Sequence, residues 1–144
     1  LCSPLSRPEK ARSLAHLVQA RRLFHWVGLY DVSDTHISAI AWTGAEAPAY
    51  PTFPITHGLN GAAVAERRAV VVQDVSKDAR YLTTFGATKA EAIFPVLSAD
   101  GTVVGTIDVE SDRVNAFTSE DVTFLQKCAL LLAPLWTAER SARA

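Results

Sequence analysis

The feature that most restricts how this chain can fold is the segment GLNGAAVAERRAVVVQD at residues 58–74. Gly58 and Gly61 bracket a short turn, the AAVAERR that follows has the composition of a helix, and AVVVQD has the composition of a buried strand. A turn that opens a helix leaves unpaired backbone N–H groups at the helix N-terminus, which suits ligand binding. We therefore expect Asn60 to be a helix N-cap, a ligand contact or both.

Helical and strand periodicities indicate an α/β (α+β) fold, with helices packed on an antiparallel sheet of about five to six strands. Ser6 and Glu9 have the spacing of a capping box, and Thr118 is a suitable N-cap for the last helix. The pattern predicts one domain over residues 1–144, made of an N-terminal helix (1–23), a sheet with a pocket (26–117) and a C-terminal helix (118–138). The predicted elements are a helix at 8–23, strands at 26–32, 36–42 and 52–56, a helix after Gly61, strands at 69–74, 93–98 and 103–110, and a helix from 118.

Between the fourth and fifth predicted strands, residues 76–92 form a long connection with Gly86 inside it and one predicted helical turn near 78–83. Connections of this length are often lids or ligand loops. We therefore expect this segment to cover a binding site.

Two candidate ligand-binding patches lie on predicted strands. Asp108 and Glu110 alternate with apolar residues, so both carboxylates leave their strand on one face, which is either the solvent side of the sheet or part of a pocket. Trp26 and Tyr30 share a face of the first strand, where they are either core residues or ligand walls. Two carboxylates side by side on one strand do not flank a scissile bond, so glycoside hydrolysis is disfavoured.

Composition and charge exclude several classes of function. The formal net charge of −1 gives no basic surface for nucleic acid or an anionic membrane. Cys2 and Cys128 lie at opposite ends of the chain, and the four histidines have no metal-ligand spacing, so we expect no metal and no cofactor. This cysteine usage fits a reducing, cytoplasmic setting.

The motifs WVGLY, GLNGAAVAERRAVVVQDVSKDARYL, TKAEAIFPV, GTVVGTIDVES and NAFTSEDVTFL follow one another in this order. Together they resemble a GAF domain, a small-molecule sensing module, over residues 26–136. Within that family the chain is most similar to the branch that contains the free methionine-(R)-sulfoxide reductases, which reduce free methionine sulfoxide with cysteine thiols.

The resemblance implies where reactive cysteines would stand in such an enzyme. The positions are the loop GAEAPAY, Asn60 between the two glycines, and the lid near Thr84, and none of them is a cysteine in this chain. A thiolate is the nucleophile of that reaction, and an amide or hydroxyl does not replace it. We therefore expect no reductase activity.

The ligand-holding positions of the family are occupied by similar residues. The resemblance assigns them to an aromatic pair, a lid-side glutamate and an acidic pair, in which the second member is Glu where the family usually has Asp. The candidate ligand-binding residues are Trp26, Tyr30, Asn60, Thr84, Glu91, Asp108 and Glu110.

These residues predict a non-catalytic sensory GAF domain in signal transduction whose ligand carries an ammonium group, as an amino acid does. Two alternatives stay open, a methionine sulfoxide reductase-like enzyme and a structural dimerisation module with no ligand. The last helix is apolar on two sides, which predicts a homodimer through the terminal helices.

Overall fold

The computed structural model describes residues 3–22 and 24–142 and contains a single six-stranded antiparallel sheet. The strand order is β3-β2-β1-β6-β5-β4, so β1 and β6 lie at its centre. The elements are α1 (Arg7–Arg22), β1 (Trp26–Val32), β2 (His36–Trp42), β3 (Thr52–Pro54), α2 (Gly58–Glu66), β4 (Val70–Val72), β5 (Ala90–Leu97), β6 (Val103–Ser111), α3 (Ser119–Leu131) and α4 (Pro134–Ala142), with a 3₁₀ turn at Val75–Lys77. The predicted α+β class is confirmed.

Both faces of the sheet are covered. On one face α1, α3 and α4 pack over apolar strand residues such as Val27, Leu29 and Ile107. On the other face α2 and the connection between β4 and β5 lie over Tyr30 and Ile93. All nine residues of β6 are therefore buried. Its side chains point alternately into the core on the side of α1, α3 and α4 and into the interior on the α2 side.

The outer helix α4 is fastened to β1 directly beside Tyr30. Trp136 Nε1 donates a hydrogen bond of 2.9 Å to the Tyr30 carbonyl oxygen, next to a register shift between Leu29 and Tyr30 in the pairing of β1 with β2. The Trp136 ring lies on the backbone of Gly105, where any Cβ would overlap it. The Arg7 guanidinium donates two hydrogen bonds, of 2.8 and 2.7 Å, to the carboxylate of Asp31. Hydrogen bonds therefore join α4 to β1 at Tyr30 and α1 to β1 at Asp31.

Several boundaries differ from those predicted. The C-terminal helix, predicted as continuous over 118–138, is divided into α3 and α4. Pro134 has no N–H, and in a continuous helix its ring would clash with the carbonyl of Leu130, so a new helix begins at Pro134. The helical turn predicted near 78–83 is instead the 3₁₀ turn at Val75–Lys77. The helix predicted at 8–23 is α1, and Leu23 lies outside the described residues.

No helix in the described part of the chain is both long enough and apolar enough to cross a bilayer.

Candidate functional site

Three carboxyl groups lie together on the α2 side of the sheet. Glu91 of β5 pairs directly with Glu110 of β6, and Asp108 lies two residues before Glu110 on the same face. Oxygens of all three groups lie within 4.8 Å of one another. The exposed fractions of Glu91, Asp108 and Glu110 are 4%, 3% and 0%. The interpretation of this face as solvent-exposed is therefore wrong, because α2 and the β4–β5 connection cover it.

Neutral hydrogen-bond donors satisfy only part of this carboxyl cluster. Asn60 Nδ2 donates to Asp108 Oδ2 at 3.0 Å, and Thr88 Oγ1 donates to Glu110 Oε1 at 3.0 Å. Glu91 Oε2, Asp108 Oδ1 and Glu110 Oε2 are buried and accept no hydrogen bond from an amide, hydroxyl or cationic side chain of the described residues. Their remaining hydrogen bonds are those that the carboxyls make with one another when they hold a proton. Among the ion pairs between described residues, none links a Lys, Arg or His to the cluster. Apart from protons held by the carboxyls themselves, the cluster therefore receives few hydrogen bonds and has no positive charge beside it.

Burial without a counter-charge changes the acidity of the cluster. Desolvation raises the pKa of Glu91 well above its usual range, and the carboxylates of Asp108 and Glu110 raise it further. Desolvation and the neighbouring Glu110 likewise raise the pKa of Asp108, against the opposing effect of the Asn60 hydrogen bond. Desolvation raises the pKa of Glu110 to about 7, while its hydrogen bond from Thr88 acts in the opposite direction. Near pH 7 Glu110 is therefore protonated in a substantial fraction of the closed molecules, and the pKa values of Glu91 and Asp108 are shifted in the same direction.

Aromatic rings form the wall beside the carboxyl cluster. The ring centroids of Trp26 and Tyr30 are 6.4 Å apart, and those of Tyr30 and Phe53 are 6.0 Å apart. Phe85 of the β4–β5 connection packs on Trp26 with a centroid distance of 5.3 Å. Trp26 Nε1 is buried and has no acceptor. Burial raises the pKa of Tyr30, and the three carboxylates raise it further, so Tyr30 is a neutral wall.

The space between the aromatic wall, α2 and the carboxyl cluster is almost filled by protein. Its cavity volume is about 10 Å³, which is close to the room that one water molecule needs. The lining residues are Tyr30, Tyr50, Phe53, Gly58, Leu59, Asn60, Leu82, Thr84, Glu91 and Asp108. A ligand of amino-acid size therefore requires movement of the segment that carries Leu82 and Thr84.

Five of the seven predicted site residues border this cavity: Tyr30, Asn60, Thr84, Glu91 and Asp108. Trp26 and Glu110 do not border it, but each contacts a residue that does, Trp26 through the Tyr30 ring and Glu110 through its pairing with Glu91. The apolar and aromatic lining residues Tyr50, Phe53, Leu59 and Leu82 were not predicted from the sequence. Nothing in a single sequence distinguishes such residues from ordinary core or loop positions.

Asn60 does not cap the helix. Helix α2 begins at Gly58 with His57 as its N-cap residue, so Asn60 lies inside the first turn. Its side-chain oxygen accepts from Thr106 Oγ1 at 2.6 Å while its amide nitrogen donates to Asp108. The N-cap interpretation of Asn60 is therefore wrong, and its amide positions Asp108.

No thiol is found at this pocket among the described residues. Asn60 and Thr84, two of the positions where the resemblance would require cysteine, border the cavity with an amide and a hydroxyl. Cys128 lies in α3, on the opposite side of the sheet, and burial raises the pKa of its thiol. Cys2 lies outside the described residues.

A larger groove of about 300 Å³ lies between α1 and β2, beside Glu9, Arg12 and Trp42. Its charged side chains are exposed, whereas the smaller cavity has buried polar groups that converge on it. Convergent buried polar groups are the usual mark of a ligand site, so the smaller cavity is the better candidate.

Comparison with known proteins agrees with this architecture. The family model described as a GAF domain matches residues 11–135. The chain belongs to the GAF domain family. A solved structure of the type II free methionine-R-sulfoxide reductase from Thermoplasma acidophilum is 30% identical with a TM-score of 0.83, covering 90% of this chain and 94% of that one.

Two curated relatives show that similar sequences carry different descriptions. GAF domain-containing protein A of Dictyostelium discoideum is 29% identical over 109 residues, covering 76% of this chain and 68% of its own length. Free methionine-R-sulfoxide reductase of Saccharomyces cerevisiae is 33% identical over 75 residues, or 52% of this chain, and the match spans only 42% of the yeast protein. The activity of this GAF domain must therefore be argued from its own pocket.

Proposed function

We propose that this GAF domain is a non-catalytic sensory module that binds a small ligand carrying an ammonium group. The observation that carries the proposal is the buried carboxyl cluster, in which three oxygens accept no hydrogen bond from an amide, hydroxyl or cationic side chain of the described residues. An ammonium group has three donors and one positive charge, so it can take the place of the protons that these carboxyls hold and neutralise the carboxylates. Because buried charges are normally paired, the ionised form of this cluster favours a cationic ligand.

The rest of the pocket favours a ligand of amino-acid type. The rings of Tyr30 and Phe53 can flank an apolar side chain while the ammonium group faces Glu91 and Asp108. Such a ligand displaces Leu82 from the cavity, so binding would reorder the β4–β5 connection. A sensory role in the cytoplasm, with the ordered segment as the signal, is part of the proposal.

Two other functions have an observation in their favour. Similarity to proteins named as methionine sulfoxide reductases favours an enzyme, but reduction of a sulfoxide by this route needs a thiol that can reach the pocket. The small cavity favours a structural dimerisation module with no ligand. The experiment below separates all three.

Thermal-shift screening followed by calorimetry tests the proposal with free amino acids and methionine sulfoxide as probes. An amino acid should raise the unfolding midpoint, and its N-acetylated form, which lacks the ammonium group, should not. Asp108→Asn should weaken binding by roughly 30-fold or more, corresponding to about 2 kcal/mol or above for loss of a buried charge partner. Glu46→Gln, on the exposed loop after β2, is the matched control and should bind as the wild type does.

Three results would contradict the proposal. Equal binding of the N-acetylated probe would show that the ammonium group is not recognised. The absence of binding by every amine would favour the dimerisation module. Formation of methionine from methionine sulfoxide and a thiol reductant, above the uncatalysed rate, would make the protein an enzyme.

A further inference from the structure

We propose that protons gate this pocket: the segment over residues 78–89, called the lid below, stays closed while the carboxyl cluster holds protons and opens when the cluster ionises. The inference rests on the proposed function, because the gate regulates the pocket in which the ligand would bind. It is carried by the contact of the lid with the cluster and by a cavity of about 10 Å³ between them, which holds no more than about one water molecule.

The lid contacts the carboxyl cluster directly. Thr88 of the lid donates its hydroxyl hydrogen bond to Glu110 at 3.0 Å, and Leu82 lines the cavity that Glu91 and Asp108 also line. Phe85 packs against the Trp26 ring. Ionisation strengthens the hydrogen bond from Thr88, but it also leaves a carboxylate that the closed lid shields from water, and this desolvation is the larger of the two effects.

Little else holds the lid in place. Residues 78–89 contain no helix or strand, and most of them are exposed or only half buried. Segments with few buried apolar contacts open at a small fraction of the global unfolding free energy. A change of a few kcal/mol at the cluster can therefore open this segment while the sheet stays folded.

The groups that face the cluster are neutral or acidic on every side. Helix α2 contributes the Asn60 amide, β1 contributes the Tyr30 phenol, and β6 contributes the Thr106 hydroxyl next to Asn60. The lid contributes Thr88 and the Tyr81 phenol, whose pKa is raised to about 12 by burial and by the nearby carboxylates of Glu110 and Glu91.

The charged side chains on and beside the lid either form ion pairs outside the cluster or are exposed. Arg80 forms ion pairs with Asp78 at 2.8 Å and with Glu66 at 3.7 Å. His25 and Lys89 are exposed, and the His25 ring lies 6.3 Å from that of Phe85. None of these cations forms an ion pair with the cluster among the described residues, so no positive charge offsets the repulsion between carboxylates created by ionisation.

Opening the lid relieves this repulsion by admitting water. In the closed state about 10 Å³ is available beside the carboxyls, which is too little to hydrate three negative charges. In the open state each carboxylate is solvated and regains its ordinary acidity. The closed state therefore binds protons more tightly than the open state, and a rise in pH shifts the equilibrium toward the open state.

The change in the ratio of open to closed lid can be worked out from the acidity of Glu110 alone. Its pKa is about 7 in the closed pocket against 4.5 for a free glutamate. By proton linkage, the ratio of open to closed lid should rise about tenfold between roughly pH 6 and roughly pH 8.5. Ionisation of Glu91 and Asp108 acts in the same direction. An amine ligand would compete with these protons, because either one neutralises the cluster.

Hydrogen–deuterium exchange tests the gate without any ligand. The protection of lid amides, corrected for the intrinsic exchange rate at each pH, should fall about tenfold or more in the wild type over that pH range. Amides of β1 and β6 should keep their protection, since the sheet does not open. The matched control Glu46→Gln should behave as the wild type does.

Variants that remove the titrating groups should remove the effect. Glu110→Gln should flatten the pH dependence in part, and the Glu91→Gln/Asp108→Asn/Glu110→Gln variant should abolish it. If the triple variant does not fold, the single variants Glu110→Gln and Glu91→Gln provide the test. Each should reduce the pH dependence of lid protection relative to the wild type. Lid protection that is independent of pH in the wild type would overturn the gate. So would a triple variant with the wild-type slope, or loss of protection throughout the sheet.

The gate and the ligand proposal can fail separately. If amines bind but lid protection does not follow pH, the gate is wrong and the proposed function stands. If lid protection follows pH as expected but no amine binds, the proposed function is wrong and the gate stands.

Discussion

Replacement of Glu110 by Gln should stabilise the protein at alkaline pH. Glu110 is completely buried, its Oε2 accepts no hydrogen bond from an amide or hydroxyl of the described residues, and it lies opposite Glu91 in the sheet. Glutamine keeps the shape of the side chain and an oxygen that can accept the Thr88 hydrogen bond. It also supplies an amide that can donate to a neighbouring carboxylate, and it cannot ionise.

The magnitude follows from the shift in acidity. Burial moves the pKa of Glu110 from 4.5 to about 7, and the difference corresponds to about 3 kcal/mol. Because the folded-state pKa is raised, the unfolded chain loses its proton first as the pH rises. The free energy of unfolding is therefore unaffected below about pH 4.5, falls between about pH 4.5 and 7, and is lowest above that window. Opening of the lid relieves part of this loss, so about 3 kcal/mol is an upper figure.

Urea and thermal denaturation between about pH 5 and pH 8.5 measure this effect. At the alkaline end Glu110→Gln should unfold at a higher temperature than the wild type, by up to roughly 10 °C, and the two should converge near pH 5. Glu46→Gln controls for the removal of a carboxylate at an exposed position. A wild-type midpoint that is flat across this window, or a Glu110→Gln curve parallel to it, would refute the assignment of a raised pKa to this carboxyl.

Two further predictions concern the helical side of the sheet. Trp136→Phe removes the donor to the buried carbonyl of Tyr30 and should lower the free energy of unfolding by about 1–3 kcal/mol. The half-buried Trp42, changed to Phe as a control, should have a smaller effect in the same urea titrations, and equal effects would contradict this role. We also propose that two copies pair through the terminal helices, where Leu131 is 78% exposed. Leu131→Glu should then sediment as a folded monomer, and a wild type that is monomeric at high concentration would contradict the pairing.

The elements of this fold could be predicted because their signals are local. The turn between β1 and β2 follows from Ser33 and Asp34 between two β-rich runs. The start of α3 follows from Thr118 as N-cap, and its hydroxyl accepts from the Asp121 backbone N–H. Alternation along β6 correctly placed Asp108 and Glu110 on one face. Each of these depends on residues that are close together in the chain.

The environment of that face depended on the tertiary structure. Periodicity shows that Asp108 and Glu110 point the same way, but it gives the same pattern for a solvated face and for a covered one. Only the packing of α2 and the lid over β6 buries the carboxyls, turns the Asn60 side chain inward, and brings Glu91 beside Glu110 across two strands. The acidity of Glu110 and the nearly filled cavity follow from that burial. The spacing of residues along a strand determines the face on which a side chain lies. The desolvation of that side chain depends on residues that are distant in the chain.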